Sequence, residues 1–417
     1  MSVERAPSGV ESGLMDRPLL SLGRVSVVVG AHIGAHIRDE VRGGRRPRMD
    51  VLELESALGA TVYDFDRLWA RRDPRAMRAA KIGLLTKQQS LALAYDTMAR
   101  VADDDVVYAT GEDIGYPLAA LMRAYGVRRP RLVVRLHRWD KGRTRARRAT
   151  YDAYRDYALP RIDTVSCSTT AQLQHAHSDG GVPISKLVFV PHMTDATFFS
   201  PEKAGANAGA NAGANAGANA GAGDDAPDGL AEFLRQPYIF SAGLELRDYH
   251  TLVEAVRGLP VNLVISAYSP YSHFAYEGSG GAPLPPNVRV ATFSPTRLRD
   301  AFADARFVVV PLKPTLNACG ISVLTEGWAM RKAAVATRIT GLLDYVVDGE
   351  NGLFVEPYDV DALRGKILYL LDHDDEAARL GQTGRRMVER DFNLDDYATR
   401  LGRIMAAAMT AAGYANR

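Results

Sequence analysis

The chain has 417 residues, of which 47% are hydrophobic and 24% are charged, and its formal net charge is +2. This length favours two or three domains, and the near-neutral charge excludes a global attraction to nucleic acid or to an anionic surface. Cys167 and Cys319 form neither a disulfide framework nor a zinc-ligand pattern, which fits a reducing compartment. The sequence contains no signal-peptide pattern and no apolar run of about 18 residues, so it predicts a cytoplasmic protein.

Twelve short runs rich in β-branched residues recur along the chain, with helical patterns between them. The runs are RVSVVVG, TVYDF, DVVYA, RLVVRL, DTVSC and LVFVP in the first half, and PYIFSAG, VNLVISA, NVRVATF, RFVVVP, KAAVAT and GLFV in the second. Strands alternating with helices are typical of βαβ units, and continuous apolar runs indicate strands buried on both faces of a parallel sheet. The pattern predicts an α/β protein with two doubly wound domains.

The predicted domain boundaries follow changes in composition. We expect a disordered N-terminus over 1–20, a first Rossmann-like domain over 21–203, a linker over 204–230 and a second Rossmann-like domain over 231–392. The linker contains AGANAGANAGANAGANAGAG, which has no residue able to fill a core. It is interpreted as a flexible tether, or as an expanded insertion without a role. The pattern over 393–417 predicts one more amphipathic helix. In some two-lobed proteins such a C-terminal helix crosses back to the first domain.

A basic stretch runs from Arg128 to Arg148 and reads RRPRLVVRLHRWDKGRTRARR. So many cations in one segment produce a local field that the net charge conceals. The stretch predicts peripheral contact with an anionic membrane surface, here the inner membrane face, or binding of an anionic acceptor; a solvated helix face is the plain alternative. Nucleic acid is not expected as a partner, because no recognised binding module surrounds the stretch.

The second half contains a loop and helix that favour ligand binding. RFVVVP ends a strand, LKPTLNACG follows as a loop, and ISVLTEGWAM begins a helix. Ligands of doubly wound sheets bind outside the carboxyl ends of strands, near helix N-termini. The N–H groups of Cys319, Gly320 and Ile321 are therefore candidates to bind a phosphate or a polar sugar, and Glu326 is a candidate to bind a diol. Alternatively, Glu326 is solvated or pairs with a neighbouring cation.

Three segments carry a resemblance to a known family. They are SAGLELRDYHTLVEAV, VPHMTDATFFSP and NACGISVLTEGWAMRKAAVATRITGLLDYVVDGENGLFVEPYD. They resemble the retaining glycosyltransferases of the GT-B fold, of the family 4 type. The resemblance implies two Rossmann-like domains facing across a cleft, with the acceptor on the first and the donor on the second. It also implies transfer of a sugar from a nucleotide-sugar donor to an acceptor hydroxyl with retention of configuration and without a metal.

The resemblance assigns roles to individual residues. Glu326 corresponds to the family's ribose-binding carboxylate and Arg247 to its phosphate-binding cation. His137 corresponds to a histidine that faces the donor sugar and the acceptor, and it is the candidate catalytic residue. Gly43 and Gly44 correspond to a glycine pair near the donor phosphate. The plain alternatives are a satisfied strand-end histidine, an ordinary turn at the glycines, and an arginine that caps or pairs locally.

The remaining predicted donor-binding residues are Thr292 and Phe293, at a strand end that lines the base in the family, and Asn317. Two positions depart from the family pattern. Ala318 stands where the first motif glutamate is expected, and Leu244 stands where a phosphate-binding arginine is expected. Asn317 is a neutral substitute for the missing carboxylate. The departures keep two alternatives open: a non-catalytic nucleotide-sugar-binding relative or partner subunit, and a nucleotide-sugar epimerase.

The sequence predicts no metal cofactor. The run ADDDVVYATGED contains three consecutive aspartates, but they precede a strand, whereas metal-binding acidic motifs of the other glycosyltransferase fold follow one. Asp103, Asp104 and Asp105 are therefore interpreted as a solvated cluster. The segment GAHIGA does not form the G-x-G-x-x-G fingerprint, so no nicotinamide cofactor is expected. The acceptor, the nucleotide and the sugar are not specified by the sequence.

Overall fold

The structure, a computed structural model, describes residues 22–137, 145–204, 229–267 and 283–410. The chain divides into two compact units. The first contains Met1–Glu40, Arg48–Pro191 and Asp395–Arg417, and the second contains Val41–Pro47 and His192–Leu394. The predicted linker repeat and the predicted disordered N-terminus lie outside the residues that the structure describes.

The first unit is built on a six-stranded parallel sheet with the order β2-β1-β3-β4-β5-β6. Its strands are β1 (Val25–Val28), β2 (Thr61–Tyr63), β3 (Val106–Ala109), β4 (Arg131–Leu136), β5 (Thr164–Cys167) and β6 (Leu187–Phe189). Its helices are α1 (Ala35–Arg42), α2 (Asp50–Leu58), α3 (Phe65–Ala70), α4 (Pro74–Thr86), α5 (Gln89–Arg100), α6 (Glu112–Ala124), α7 (Arg145–Ala158) and α8 (Thr170–Ser178).

The second unit repeats this plan with a six-stranded parallel sheet of order β12-β11-β10-β7-β8-β9. Its strands are β7 (Tyr238–Ala242), β8 (Asn262–Ser266), β9 (Val288–Val290), β10 (Val308–Val310), β11 (Ala334–Thr337) and β12 (Leu353–Val355). Its helices are α9 (Leu230–Phe233), α10 (Tyr249–Val256), α11 (Pro295–Asp304), α12 (Ile321–Ala329), α13 (Val360–Asp372) and α14 (Asp374–Asp391).

Helix starts and strand burial follow from local chemistry. Asp64, Asp73, Thr169, Asp248 and Asp359 each accept a backbone N–H at a helix start, which satisfies a donor that the helix cannot bond internally. Every residue of β1, β3, β7, β10 and β11 is buried, as expected for strands covered by helices on both faces. The twelve predicted strands and the doubly wound α/β fold are confirmed.

The last helix, α15 (Tyr397–Thr410), belongs to the first unit. It packs against α2, β3 and β4, and it buries Leu401 and Met405. The hydroxyl groups of Tyr108 on β3 and Tyr397 on α15 are 3.1 Å apart in this buried contact. The helix that was predicted within 393–417 is thus a structural part of the first unit over Tyr397–Thr410, and residues 411–417 lie outside the described residues.

The structure places the boundary after the first unit differently from the sequence analysis. The first unit gives way to the second at Pro191, whereas the predicted first domain continues to residue 203. The intervening segment packs into the second core through Phe198 and Phe199, which contact each other and Phe302 edge to face. The two aromatic side chains therefore belong to the core of the second unit, which composition does not reveal.

The interpretation of the aspartate run as solvated is wrong for one member. Asp104 is only 9% exposed, and its carboxylate accepts a hydrogen bond from the Ser26 hydroxyl. Burial raises the pKa of Asp104, while the Ser26 hydrogen bond opposes the rise. Asp105 accepts the backbone N–H of Arg24 at 2.9 Å. Both side chains tie the start of β1 to the loop before β3, and this is a structural role.

Candidate functional site

The start of α12 lies at the carboxyl edge of the second sheet. Gly320 precedes the helix with a φ of +84°, in the left-handed region. A Cβ atom at this position would lie 2.8 Å from Val310 Cγ1 and 3.0 Å from Leu312 Cδ1. A glycine is therefore required both by the backbone conformation and by the close approach of the loop to β10. Cys319, Gly320 and Ile321 are all buried.

Glu326 lies in the middle of α12 and is half-buried. Its carboxylate forms no hydrogen bond or ion pair with any residue in the described ranges. Burial raises the pKa of Glu326 to about 8, and the nearby positive charge of Arg247 opposes that rise. A partly desolvated carboxyl group without a partner from the chain itself is costly unless a ligand satisfies it. The alternative that Glu326 pairs with a neighbouring cation is not supported.

Arg247 is held by the backbone of the loop that follows β7. Its Nε donates to the carbonyl of Ala242 and its Nη1 donates to the carbonyl of Glu245, each at 2.9 Å. The loop turns at Gly243, where φ is +91° and a Cβ would lie 2.6 Å from Arg247 Nη2. Asp248 caps α10 by accepting the N–H of Thr251 at 3.2 Å. The loop therefore fixes the guanidinium close enough to influence Glu326.

The other residues that were predicted to bind the donor lie in loops of the second unit. Thr292 is exposed, and Phe293 is half-buried with its ring 6.1 Å from that of Phe240, edge to face. The carbonyl of Asn317 accepts the N–H of Cys319 at 2.9 Å, which tightens the turn before Gly320. The structure thus brings Arg247, Glu326 and the start of α12 to one edge of the second sheet.

His137 lies in the first unit, directly after β4, and is exposed. Its Nε2 is 2.6 Å from the carbonyl of Thr110, and its backbone N–H donates to the Glu112 carboxylate at 2.8 Å. Its own carbonyl accepts a hydrogen bond from the side-chain amide Nε2 of Gln172 at 2.9 Å. Because a carbonyl can only accept, Nε2 carries the proton in the neutral ring. The imidazole is therefore oriented by two neighbouring strand ends.

Glu112 and Gln172 were not identified from the sequence as site residues. Glu112 is the first residue of α6 and belongs to the run ADDDVVYATGED, whose first three aspartates were considered as a metal motif. Gln172 lies in the first turn of α8, and its carbonyl oxygen also accepts the N–H of Ser168 at 3.0 Å. A polar residue just after a predicted strand was the available signal for Glu112. Gln172 carried no comparable signal, because its role depends on the packing of α8.

Gly43 and Gly44 follow α1 and lie in the segment Val41–Pro47, which belongs to the second unit. Gly44 has a φ of +65°. A Cβ on Gly44 would meet no heavy atom within 4 Å among the described residues. The turn itself therefore explains a glycine at position 44, and the proposed proximity to a donor phosphate stays a prediction.

Within the ranges that the structure describes, no group of three or more His, Cys, Asp or Glu side chains is arranged to hold a metal ion. Metal independence stays a prediction. The described helices include none that is both long and apolar enough to span a bilayer.

Two Rossmann-like units, each with a six-stranded parallel sheet, define the GT-B fold, which is known from glycosyltransferases. Residues 234–387 match the family model described as Glycosyl transferases group 1. This match covers most of the second unit, including Arg247, α12 and Glu326.

Similar proteins support the same fold class. The chain is similar to sucrose-phosphate synthase from Thermosynechococcus elongatus, with 18% identity and a TM-score of 0.64 over 93% of this chain and 100% of the other. It is similar to HepE from Anabaena, solved in complex with UDP-glucose, with 13% identity and a TM-score of 0.65 over 92% of this chain and 100% of the other.

An uncharacterized glycosyltransferase of Methanocaldococcus jannaschii is 36% identical over 84 residues, which cover 20% of this chain and 23% of that relative. The matched segment thus spans about a quarter of the length of this curated relative. The sequence likeness concerns a part of the chain, and the structural likeness extends over nearly all of it.

Proposed function

We propose that this protein is a glycosyltransferase that moves a sugar from a nucleotide-sugar donor to an acceptor hydroxyl, with retention of anomeric configuration. The proposal rests on the environment of Glu326. Its carboxyl group is half-buried, has no hydrogen-bond partner among the described residues and lies near Arg247. A ribose diol presents two hydroxyl groups to the two oxygens of such a carboxyl group. The Glycosyl transferases group 1 match over this region supports the proposal, as does a GT-B neighbour solved with UDP-glucose.

The proposed donor site combines three elements of the second unit. Glu326 binds the ribose, Arg247 binds the diphosphate, and the N–H groups of Gly320 and Ile321 at the start of α12 bind the phosphate or the sugar. The predicted role of the Cys319 N–H is wrong, because this group donates to the carbonyl of Asn317. Negative charge develops on the diphosphate as the glycosidic bond to it breaks, so fixed positive groups at this edge lower the barrier. The loop hydrogen bonds that fix Arg247 reduce the reorganisation that this stabilisation requires.

The reaction needs no nucleophile from the protein. The acceptor oxygen bonds to the anomeric carbon on the face from which the diphosphate departs, and the departing phosphate oxygen takes the acceptor's proton. His137, oriented by Thr110 and Glu112, is proposed to position the sugar or the acceptor. We further propose a cytoplasmic enzyme that works without a metal cofactor.

A non-catalytic nucleotide-sugar-binding relative is the second candidate. Two observations favour it: Ala318 occupies the position of the family's first motif glutamate, and Leu244 occupies that of a phosphate-binding arginine. The two candidates share the donor site, so ligand binding tests both and turnover separates them.

The first experiment is a thermal-shift panel with UDP, GDP, ADP and their common sugar conjugates. The wild-type protein is compared with Glu326→Gln and with the control Glu350→Gln, which alters an exposed glutamate in the same unit. A ligand at about 100 times its Kd adds about 2.7 kcal/mol to the unfolding free energy, which is several degrees in Tm. We expect one nucleotide class to stabilise wild type and Glu350→Gln, and to stabilise Glu326→Gln clearly less.

Equal stabilisation of all three proteins would remove Glu326 from the site, and no stabilisation by any nucleotide would contradict the donor site itself. A nucleotide sugar that binds is then incubated with candidate acceptors, and released nucleoside diphosphate is measured. Binding without release for any acceptor or water would favour the non-catalytic relative.

A further inference from the structure

A cavity with a volume of about 300 Å³ opens at the amino edge of the first sheet. It lies between the end of α6, the start of β4 and the turn that follows α7. Four arginines line it, Arg123, Arg128, Arg131 and Arg161, together with a single carboxylate, Asp163. This cavity plays no part in the proposed transfer reaction, because β4 separates it from His137. A strand of six residues spans roughly 20 Å.

The one carboxylate of the cavity is shared. Asp163 accepts hydrogen bonds from Arg131 Nη1 at 2.7 Å, from Arg161 Nη1 at 3.4 Å and from the backbone N–H of Leu132 at 2.8 Å. It therefore compensates only one of the two guanidinium charges that it contacts. The four lining arginines leave the cavity with an excess of positive charge.

Backbone carbonyls hold two cations that interact with Asp163: Arg161, which lines the cavity, and Lys186, which does not. Arg161 donates through Nε to the carbonyl of Val127 at 3.0 Å and through Nη2 to the carbonyl of Pro130. Burial lowers the pKa of Arg161, Asp163 opposes this, and the neighbouring Arg131 lowers it further. Lys186 donates to the carbonyl of Ile162 at 2.6 Å, and burial lowers its pKa too. An anion in the cavity would relieve this crowding of like charges.

The outer wall is formed by two exposed arginines. Arg123 lies over the ring of Tyr157 at 4.6 Å and donates to the Tyr157 carbonyl at 2.6 Å. Arg128 makes no hydrogen bond and no ion pair with the part of the chain that the structure describes. A planar guanidinium offers paired N–H donors that match the oxygens of a phosphate group.

We infer that this arginine cavity is a binding site for a phosphate-bearing ligand. Its volume lies at the lower end of the range for small-molecule pockets, which suits a phosphomonoester or a pyrophosphate group. Ionised phosphates supply the double negative charge and the multiple acceptors that the arginines require. The same chemistry is presented by a free phosphorylated metabolite and by a lipid phosphomonoester headgroup, and the two sources are separated by experiment.

The test measures binding of inorganic pyrophosphate by isothermal titration calorimetry at fixed ionic strength. The site variant is Arg123→Gln with Arg128→Gln, two exposed positions, and the matched control is Arg78→Gln with Lys81→Gln, which removes the same charge from exposed positions of α4. We expect the site variant to weaken binding at least tenfold and the control to change it less than twofold. Equal weakening in both would reduce the effect to net charge and overturn the inference.

Pyrophosphate also fits the proposed donor site, so Arg247→Gln is measured alongside. A second class of pyrophosphate sites that is lost only in Arg247→Gln would be the donor site. If wild type has no such second class, the result contradicts the proposed function and leaves the arginine cavity unaffected. The Tm values of the wild type and of the site variant show whether both are folded. If the double variant has a lowered Tm, the titration is repeated with the single variant Arg128→Gln.

The source of the phosphate is tested by cosedimentation with phosphatidylcholine vesicles with and without phosphatidate. Binding to phosphatidate vesicles that is lost in the site variant would support a lipid headgroup. Pyrophosphate binding without such cosedimentation would support a free phosphorylated ligand. Failure of pyrophosphate and of phosphatidate vesicles to bind through these arginines would overturn the inference.

Discussion

At the carboxyl edge of the first sheet, His137 is exposed and its ring nitrogen is already engaged with the carbonyl of Thr110. At the carboxyl edge of the second sheet, Glu326 is half-buried, and its carboxylate has no partner within the described residues. One edge thus satisfies its polar groups internally. The other holds a carboxyl group whose burial is uncompensated.

The two edges therefore have different roles: the first orients a side chain, and the second is proposed to bind a ligand. Internal hydrogen bonds at the first edge set the direction of an imidazole and contribute little to binding by themselves. The unmet carboxyl group at the second edge destabilises the empty protein and becomes satisfied when a ligand donates to it. The free energy for donor binding is therefore expected to come mainly from the second edge.

The largest effect is a pH dependence that Glu326 imposes. Its pKa is about 8 in the folded protein against an ordinary value of 4.5, so the folded state keeps a proton that the unfolded state has released. The unfolding free energy therefore falls as pH rises from about 4.5 to about 8, by about 1.4 kcal/mol per pH unit at most. Calorimetric Tm values across this window should decline in wild type and in Glu350→Gln, and decline less steeply in Glu326→Gln. Parallel declines in all three proteins would refute the assignment.

A smaller effect, about 3 kcal/mol, is expected from Gly320→Ala. The added Cβ atom destabilises the variant in two ways: it disfavours the left-handed backbone conformation, and it lies too close to Val310 and Leu312. Gly349→Ala is the matched control, because Gly349 has a φ of +78° and no described heavy atom within 4 Å of a built Cβ. The control should lose only about 1 kcal/mol. Chemical denaturation measures both, and equal losses would show that the close approach at α12 contributes nothing.

The smallest effect on stability, about 1 kcal/mol or less, is expected from His137→Ala, since the side chain is exposed and loses one hydrogen bond. Turnover should nevertheless fall at least tenfold, while the Kd of the nucleotide sugar changes less than twofold. His250→Ala, at an exposed position on α10, is the control and should keep full turnover. A variant of His137 with normal turnover would restrict the first edge to a structural role.

The fold was predictable because its strands are buried on both faces and consist of β-branched runs. Examples are VVV at β10, which a loop and α12 follow, and AVAT at β11. The position of Glu326 on a helix just after a strand was predictable for the same reason. Its lack of a partner was not, because pairing with a neighbouring cation depends on side-chain direction and packing.

Other features depend on contacts that sequence distance conceals. The arginine cavity joins Arg123 and Arg161 to the first residues of a stretch that looked like one continuous basic segment over 128–148. Asp104 became buried because Ser26, far away in the chain, lies beside it. The residues Phe198 and Phe199 pack in the second core although the composition change comes only after them.

The place of α15 has a consequence for synthesis on the ribosome. This helix covers part of β3 and β4, yet it is encoded after every strand of the second unit. Domains generally fold in the order of their synthesis, the N-terminal one first. Here the N-terminal unit cannot complete its core until the last helix has emerged. The part of the nascent sheet that α15 covers therefore stays exposed to solvent while about two hundred further residues are translated, between Pro191 and Asp395.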